Sequence, residues 1–359
     1  MSLLLEIWEA SGIWGKKLSR QVDADKELKL KKHFTRLTKA EKESIKSFWG
    51  GVKGLNLKYF ELYKTSDSQT VDSRYIPDDM YYVNVDSYFN KPLDCLYIDD
   101  KNLYDLFFPD IKQPQTIARK EAGQFLSKTY EILKEEDVIL ECRKVESVVI
   151  KKSTNANGGH DIQFWKYDGQ DPSSIDVLKG ILRTKYDFII QECVKQHSEI
   201  AKLHPSSINT IRILTLNWHG KVSVLSSIIR MGANGSNVDN GHSGGIFCGI
   251  NDDGRLKSRA YTYMTGEKFE NTHPTTGAVF SDSVIPNFDR CKELVVSLAP
   301  RLTSFSRLTS WDLSVNEKGE PILIEVNLAY GGLFFHQIAN GPVFGDLTED
   351  IIKEVIKKK

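Results

Sequence analysis

Residues 310–327 form the stretch of this chain best suited to chemistry, Ser-Trp-Asp-Leu-Ser-Val-Asn-Glu-Lys-Gly-Glu-Pro-Ile-Leu-Ile-Glu-Val-Asn. It reads as two short strands around a turn at Glu317–Glu320, with Gly319 inside the turn. That register pairs Val315 with Ile322, Leu313 with Ile324 and Trp311 with Val326, so one face is wholly apolar, as a period-two pattern demands. It also sets Asp312 opposite Glu325, with Asn327 further along the same face. Opposed Cβ atoms lie about 4.5–5.5 Å apart, where two like charges destabilise the pair. A divalent cation removes that cost. Mg²⁺ favours oxygen donors, commonly one or two carboxylates completed by phosphates and water. Asp312, Glu325 and Asn327 are therefore candidate metal ligands in a metal–nucleotide site.

Other segments supply candidate phosphate and nucleotide contacts. Lys151-Lys152-Ser-Thr-Asn-Ala-Asn-Gly158-Gly159 joins two predicted strands. Glycines there let the backbone approach a phosphate, and a lysine on the exit strand supplies charge. A Walker loop is absent. Gln191-Glu192-Cys193-Val194 ends a buried strand, where exposed backbone can pair with an adenine edge. Arg212 and Arg230 lie in otherwise apolar strands, where a charge needs a partner. That partner is either an internal acid or a bound carboxylate or phosphate, which a guanidinium grips bidentately. The Gly/Asn-rich loop 232–245 can present backbone N–H groups and Asn240 to an anion. No nucleophile elbow is present, and the histidines show no metal-ligand spacing, so covalent hydrolase chemistry is not indicated.

The elements that must hold these residues follow from texture. Residues 1–74 read as a helical extension with a Thr38-x-x-Glu41 capping box. Residues 75–140 read as mixed short strands and helices, with a strand at Cys95–Ile98 and a helix over Arg119–Leu133. Strands are expected at 145–151, 160–165, 186–190, 208–216 and 221–230, and helices at 288–302 and 347–358. The fold class is α/β with α+β lobes, divided as 1–74, 75–140, 141–195 and 196–359.

Bulk properties limit the function. The chain has 359 residues, and its 48 basic residues balance 48 acidic ones, so a nucleic-acid partner is not indicated. Five cysteines without metal or redox spacing fit a reduced, cytoplasmic protein. The N-terminus lacks a basic n-region, and no apolar run is long enough to span a membrane.

Taken in order, Asp100-Lys101-Asn102, Lys151 with Gly158-Gly159, Gln191–Val194, Ser207–Arg212, Arg230-Met-Gly232, Val238–Asn240, Gly244-Gly245, His273-Pro274, Trp311-Asp312 and Glu325–Asn327 resemble the ATP-grasp superfamily over Tyr75 to Asp346. The closest likeness is to its sugar-transfer-associated group. That resemblance implies an ATP-grasp fold, with the nucleotide held between two antiparallel-sheet lobes. It implies that Lys101 and Lys151 hold ATP phosphates and that Glu192 and Val194 hold adenine, with Gln191 nearby. Asp312, Glu325 and Asn327 would bind one or two Mg²⁺, Arg212 and Arg230 would contact the transferred phosphoryl group or the acceptor carboxylate, and Asn240 would join them as a catalytic residue. Related ligases carry an arginine two residues before the metal aspartate, where this chain has Ser310; Arg230 is the candidate substitute. The implied activity is ADP-forming carboxylate–amine ligation through an acyl phosphate. Its substrates would be a small carboxylate, such as a uronic acid or a nucleotide- or lipid-linked sugar, and an amine. The implied setting is cell-surface polysaccharide or capsule biosynthesis, in association with its enzymes. The alternatives are a kinase acting on a sugar or lipid-linked hydroxyl, and a non-catalytic nucleotide-binding partner of glycosyltransferases.

Overall fold

The computed structural model describes residues 19–64, 70–91, 95, 98, 100–154 and 162–357. Two antiparallel sheets carry the architecture. The smaller is built from β1 (Thr116–Glu121), β2 (Gln124–Leu126), β3 (Ile132–Leu133), β4 (Val148–Lys152), β5 (Ile162–Trp165) and β6 (Phe188–Glu192), in the order β3-β2-β1-β6-β4-β5. The larger contains β7 (Thr210–Trp218), β8 (Lys221–Met231), β9 (Ile246–Ile250), β10 (Leu256–Thr262), β11 (Lys268–Glu270), β12 (Leu308–Val315) and β13 (Pro321–Asn327), in the order β11-β10-β9-β8-β7-β12-β13.

Alternation along each strand decides what faces the space between the sheets. In β4, Val148 and Ile150 enter a core with Val138, Leu178, Phe188 and Ile190, beneath the helices Glu135–Cys142 and Ser173–Leu182. Val149 and Lys151 point the other way, into the cleft. In β12, Trp311, Leu313 and Val315 pack with Ile211, Ile213 and Val326 against the helix Phe288–Leu298. Asp312 takes the opposite face.

Several sequence expectations need correction. The segment 119–133 is not a helix but the strands β1 to β3. Ala122 and Gly123, both at positive φ, turn the chain between β1 and β2. The sheet therefore draws strands from both sides of residue 140. Cys95 lies in a 3-10 turn and Ile98 in a turn, rather than in a strand. The hairpin register is as expected at Trp311–Val326 and Asp312–Glu325, then shifts: Leu313 pairs with Leu323 and Ser314 with Ile322. Ile324 is thus an extra residue on β13, a bulge that bends the strand beside Glu325.

The N-terminal region is helical, at residues 19–30, Lys39–Trp49 and Lys58–Tyr63. Trp49, Phe60, Tyr81 and Val355 pack on the side of the large sheet that carries Leu214 and Leu216. The capping box forms as read: Thr38 Oγ1 accepts from the Glu41 N–H at 3.2 Å, and the Thr38 N–H donates to Glu41 Oε2 at 2.7 Å. Lys64 Nζ lies 2.7 Å from the same buried carboxylate. Thr38→Ala should therefore lower folding stability by about 1 kcal/mol, read as a shifted urea midpoint.

Candidate active site

A cleft of about 1060 Å³ separates the two sheets. Its large-sheet wall is built around Asp312. Arg212 lies directly across from Asp312 on β7, so the guanidinium and carboxylate meet as neighbours in one ladder. The pair is bidentate, Nε to Oδ1 at 2.7 Å and Nη2 to Oδ2 at 2.7 Å. Arg230 from β8 approaches Oδ2 at 3.5 Å. Burial would push the Asp312 carboxyl up, but Arg212 and Arg230 more than offset it and hold it at about 2. On β13, Glu325 accepts from Lys101 Nζ at 2.8 Å. Burial raises its carboxyl as well, yet Lys101 leaves it below the usual range. The acidic pair is thus compensated by the chain's own cations, so like-charge repulsion alone does not demand a metal here.

Arg212 and Arg230 both have partners within the chain. Both meet an internal acid, and that acid is the candidate metal ligand itself. Arg230 is held further by Asp239, with Nη2 to Oδ2 at 3.3 Å, and donates through Nε to Thr210 Oγ1 at 3.0 Å. Thr210 Oγ1 in turn donates to Asp239. Burial opposes charge on this guanidinium, but Asp239, Asp312 and Glu325 outweigh it and keep it firmly protonated. Sequence reasoning gave Asp239 and Thr210 no role. The available signal was Arg230 itself, a charge in an apolar strand that requires an acid. Asp239→Asn should loosen Arg230 and slow ADP release roughly tenfold, with a stability loss of about 1–2 kcal/mol. Ser310 is fully buried, and its Oγ donates to the Gly331 carbonyl at 3.3 Å.

The small-sheet wall supplies Lys151. Its Nζ donates to Gln191 Oε1 at 3.3 Å, and Gln191 is buried behind it. Burial lowers this amine to about 8, with Lys101 adding to the effect and Glu325 opposing it. Lys152, one residue on, belongs to the opposite face. At the end of β6 the Glu192 N–H donates to the Gln115 carbonyl at 2.9 Å and the Cys193 N–H to the Ser147 carbonyl at 3.0 Å. The Val194 N–H has no acceptor among the described residues, and Glu192, Cys193 and Val194 all line the cleft. Asn240 also lines it, but its side chain accepts from the His242 N–H at 2.8 Å and caps the turn Gly241–Ser243. Gly158 and Gly159 lie outside the described residues.

Asp312, Glu325 and Asn327 offer hard oxygen donors on one wall. Asn327 Nδ2 faces Asp312 Oδ2 at 3.4 Å, which leaves its amide oxygen for another partner. Among the described residues no cluster of three or more His, Cys, Asp or Glu could hold a metal alone. The set therefore fits an ion that completes its shell with phosphate oxygens and water.

Among curated proteins no sequence match is found. Solved structures that match include D-cycloserine synthetase DcsG, at 13% identity over 73% of this chain and 72% of that chain, TM-score 0.43. The ATP-grasp ligase PsnB, complexed with minimal precursor, matches at 15% identity over 74% of this chain and 63% of that chain, TM-score 0.39. VanG D-Ala:D-Ser ligase from Enterococcus faecalis matches at 14% identity over 72% of this chain and 60% of that chain, TM-score 0.41. None of the three lends this chain its substrate. The sugar-transfer associated ATP-grasp family matches residues 83–353, which include every site residue named above. The chain belongs to that family of ATP-grasp enzymes.

Proposed function

We propose that the chain is an ADP-forming carboxylate–amine ligase that joins an amine or amino acid to a sugar acid for cell-surface polysaccharide, working in the cytoplasm. One observation carries the reading. Two hard-oxygen carboxylates, Asp312 and Glu325, share a single cleft with the cations Lys101, Lys151, Arg212 and Arg230 and with the Val194 N–H, which has no acceptor among the described residues. The five cysteines form no disulfide among the described residues, which is consistent with a reducing compartment. Among the described residues no helix is long and apolar enough to cross a membrane.

Adenine would sit at Glu192–Val194 against Val149, and the phosphates would run between Lys101 and Lys151. Asp312, Glu325 and Asn327 would hold Mg²⁺, which when bound neutralises phosphate charge. An oxygen of the acceptor carboxylate attacks the γ-phosphorus, the bond to the β-phosphate oxygen breaks, and ADP leaves. The amine then attacks the acyl carbon, phosphate departs and the nitrogen loses a proton. Arg230, fixed by Asp239 and Thr210, stabilises charge on the transferred group without rearranging. No protein nucleophile is needed.

The test is ADP release from Mg-ATP across sugar acids, with hydroxylamine present. A hydroxamate formed in step with ADP is the expected product. ADP accompanied by a phosphorylated hydroxyl would replace the ligase reading with phosphotransfer.

A further inference from the structure

The helix running through residue 30 forms one wall of the cleft, although it lies far from the nucleotide-binding strands in sequence. Arg20, Asp23, Ala24 and Glu27 all line the cavity. Their spacing, i, i+3, i+4 and i+7, places them on one helical face. The helix is docked rather than loose. Leu28 packs with Tyr59, Leu62 and Tyr63, and the Tyr59 hydroxyl donates to the Ala24 carbonyl at 3.3 Å.

The cleft is polarised. Lys101, Lys151, Arg212 and Arg230 gather around Asp312 and Glu325 in one part, and each has a described carboxylate or amide partner. The helical wall is different. The Arg20 guanidinium lies 3.8 Å over the Tyr330 ring, and among the described residues it forms no ion pair. Stacking fixes the plane of the fork, which also bonds the Tyr330 side chain and lies within electrostatic reach of Asp86; a guanidinium has five N–H donors, and those left over suit a ligand carboxylate. One turn on, Asp23 has only a distant exposed contact, with Lys26 at 4.0 Å. Glu27 uses Oε2 to accept from the Tyr263 hydroxyl at 2.5 Å, which orients its other oxygen. Between these charges stands Ala24, a small side chain on the same cavity wall. Arg20 and Asp23 are separated by about 4.5 Å along the helix axis. A ligand carrying an anion and a cation on adjacent atoms can bridge that interval.

We propose that this helical face binds an α-amino acid as its zwitterion, with the carboxylate on Arg20 and the ammonium between Asp23 and Glu27, as the amine substrate of the ligase. The inference rests on the ligase reading, and it gives the N-terminal extension a role in recognition.

The test is direct binding to the full chain with Mg²⁺ and a non-hydrolysable ATP analogue, read by saturation-transfer NMR. The probes are glycine, L-alanine, L-glutamate, L-threonine and L-lysine, each beside its methyl ester and its N-acetyl derivative. At least one free amino acid should bind, with ester and N-acetyl forms weaker by roughly ten- to a hundredfold. Arg20→Gln should erase the preference over the ester, and Glu27→Gln the preference over the N-acetyl form. Using ligand variants on the unaltered chain keeps the test independent of whether either substitution folds. If no amino acid binds, or if the ester binds as well as the acid, the proposal is overturned. Binding with this discrimination but no hydroxamate would remove the ligase reading alone. Hydroxamate without amino-acid binding would remove only the zwitterion site.

Discussion

Asp312→Ala should lose about 3–5 kcal/mol of folding stability together with all measurable ADP formation, whereas Glu325→Gln should keep the fold and lose only turnover. The two carboxylates face each other on one hairpin, yet their surroundings differ. Asp312 is 0% exposed and meets Arg212 through two bonds of 2.7 Å. Removing it leaves a buried guanidinium without its partner, the costly half of a broken ion pair. Glu325 is 28% exposed at its side chain, and its partner Lys101 stands at the cleft wall where water can replace it. Its loss should cost less than about 1 kcal/mol. Turnover should fall at least about a thousandfold in both variants, because both carboxylates belong to the proposed set that would hold Mg²⁺ against the phosphates. Acid titration gives an independent check. The Asp312 carboxyl is held at about 2 in the fold, below its unfolded value of about 3.9. Its contribution is therefore full above about pH 4 and disappears as pH falls through about 2. Urea midpoints across that window should drop in the wild type and drop less steeply in Asp312→Asn, the remaining slope coming from acids such as Glu41, also held at about 2. Equal instability of the Asp312 and Glu325 variants would contradict this account of the hairpin.

The hairpin was also the most legible part of the sequence, because period-two alternation fixes which residues share a face. Trp311, Leu313 and Val326 could only face a core, and that placed Asp312 and Glu325 together on the other side. The bulge at Ile324 was not legible, since three successive apolar residues, Ile322, Leu323 and Ile324, fit either register equally well. The helix expected over Arg119–Leu133 failed for a related reason. Its apolar residues are sparse, and the turn at Ala122-Gly123 outweighs helix-forming composition on either side. Pairwise contacts across strands were harder still. Arg212 demanded an acid, but only the β7–β12 pairing makes Asp312 that acid. Asp239 was reachable solely through Arg230. The helical wall with Arg20, Asp23 and Glu27 had a clear i, i+3, i+7 pattern, but nothing local shows that a face bearing charges closes a cleft formed some two hundred residues away.

Lys151→Met should make the protein more stable while weakening ATP-analogue binding by roughly ten- to a hundredfold. The amine sits at the small-sheet wall with, among the described residues, only an amide, Gln191 Oε1, as hydrogen-bond partner. Burial, against Glu325 and with nearby Lys101, lowers its pKa to about 8, so below that pH the fold holds a charge it solvates poorly. The sign follows from the displaced value. Folded and unfolded chains are both protonated at Lys151 below about pH 8, and between about 8 and about 10.5 only the unfolded chain keeps the proton. Stability contributed by this residue is therefore lowest at neutral pH and rises through that interval. Replacement by methionine should recover about 1–2 kcal/mol at neutral pH, allowing for the residue's partial exposure to the cleft. Phosphates would supply the missing counter-charge and favour the protonated amine, so binding above about pH 8 must take up a proton. Affinity for a non-hydrolysable ATP analogue, measured by calorimetry from about pH 7 to about pH 9, should fall as pH rises past 8, approaching tenfold per unit. The methionine variant should bind weakly with no such slope. A flat wild-type profile would place the phosphates elsewhere, because a buried amine that gains its counter-charge from a ligand cannot escape this linkage.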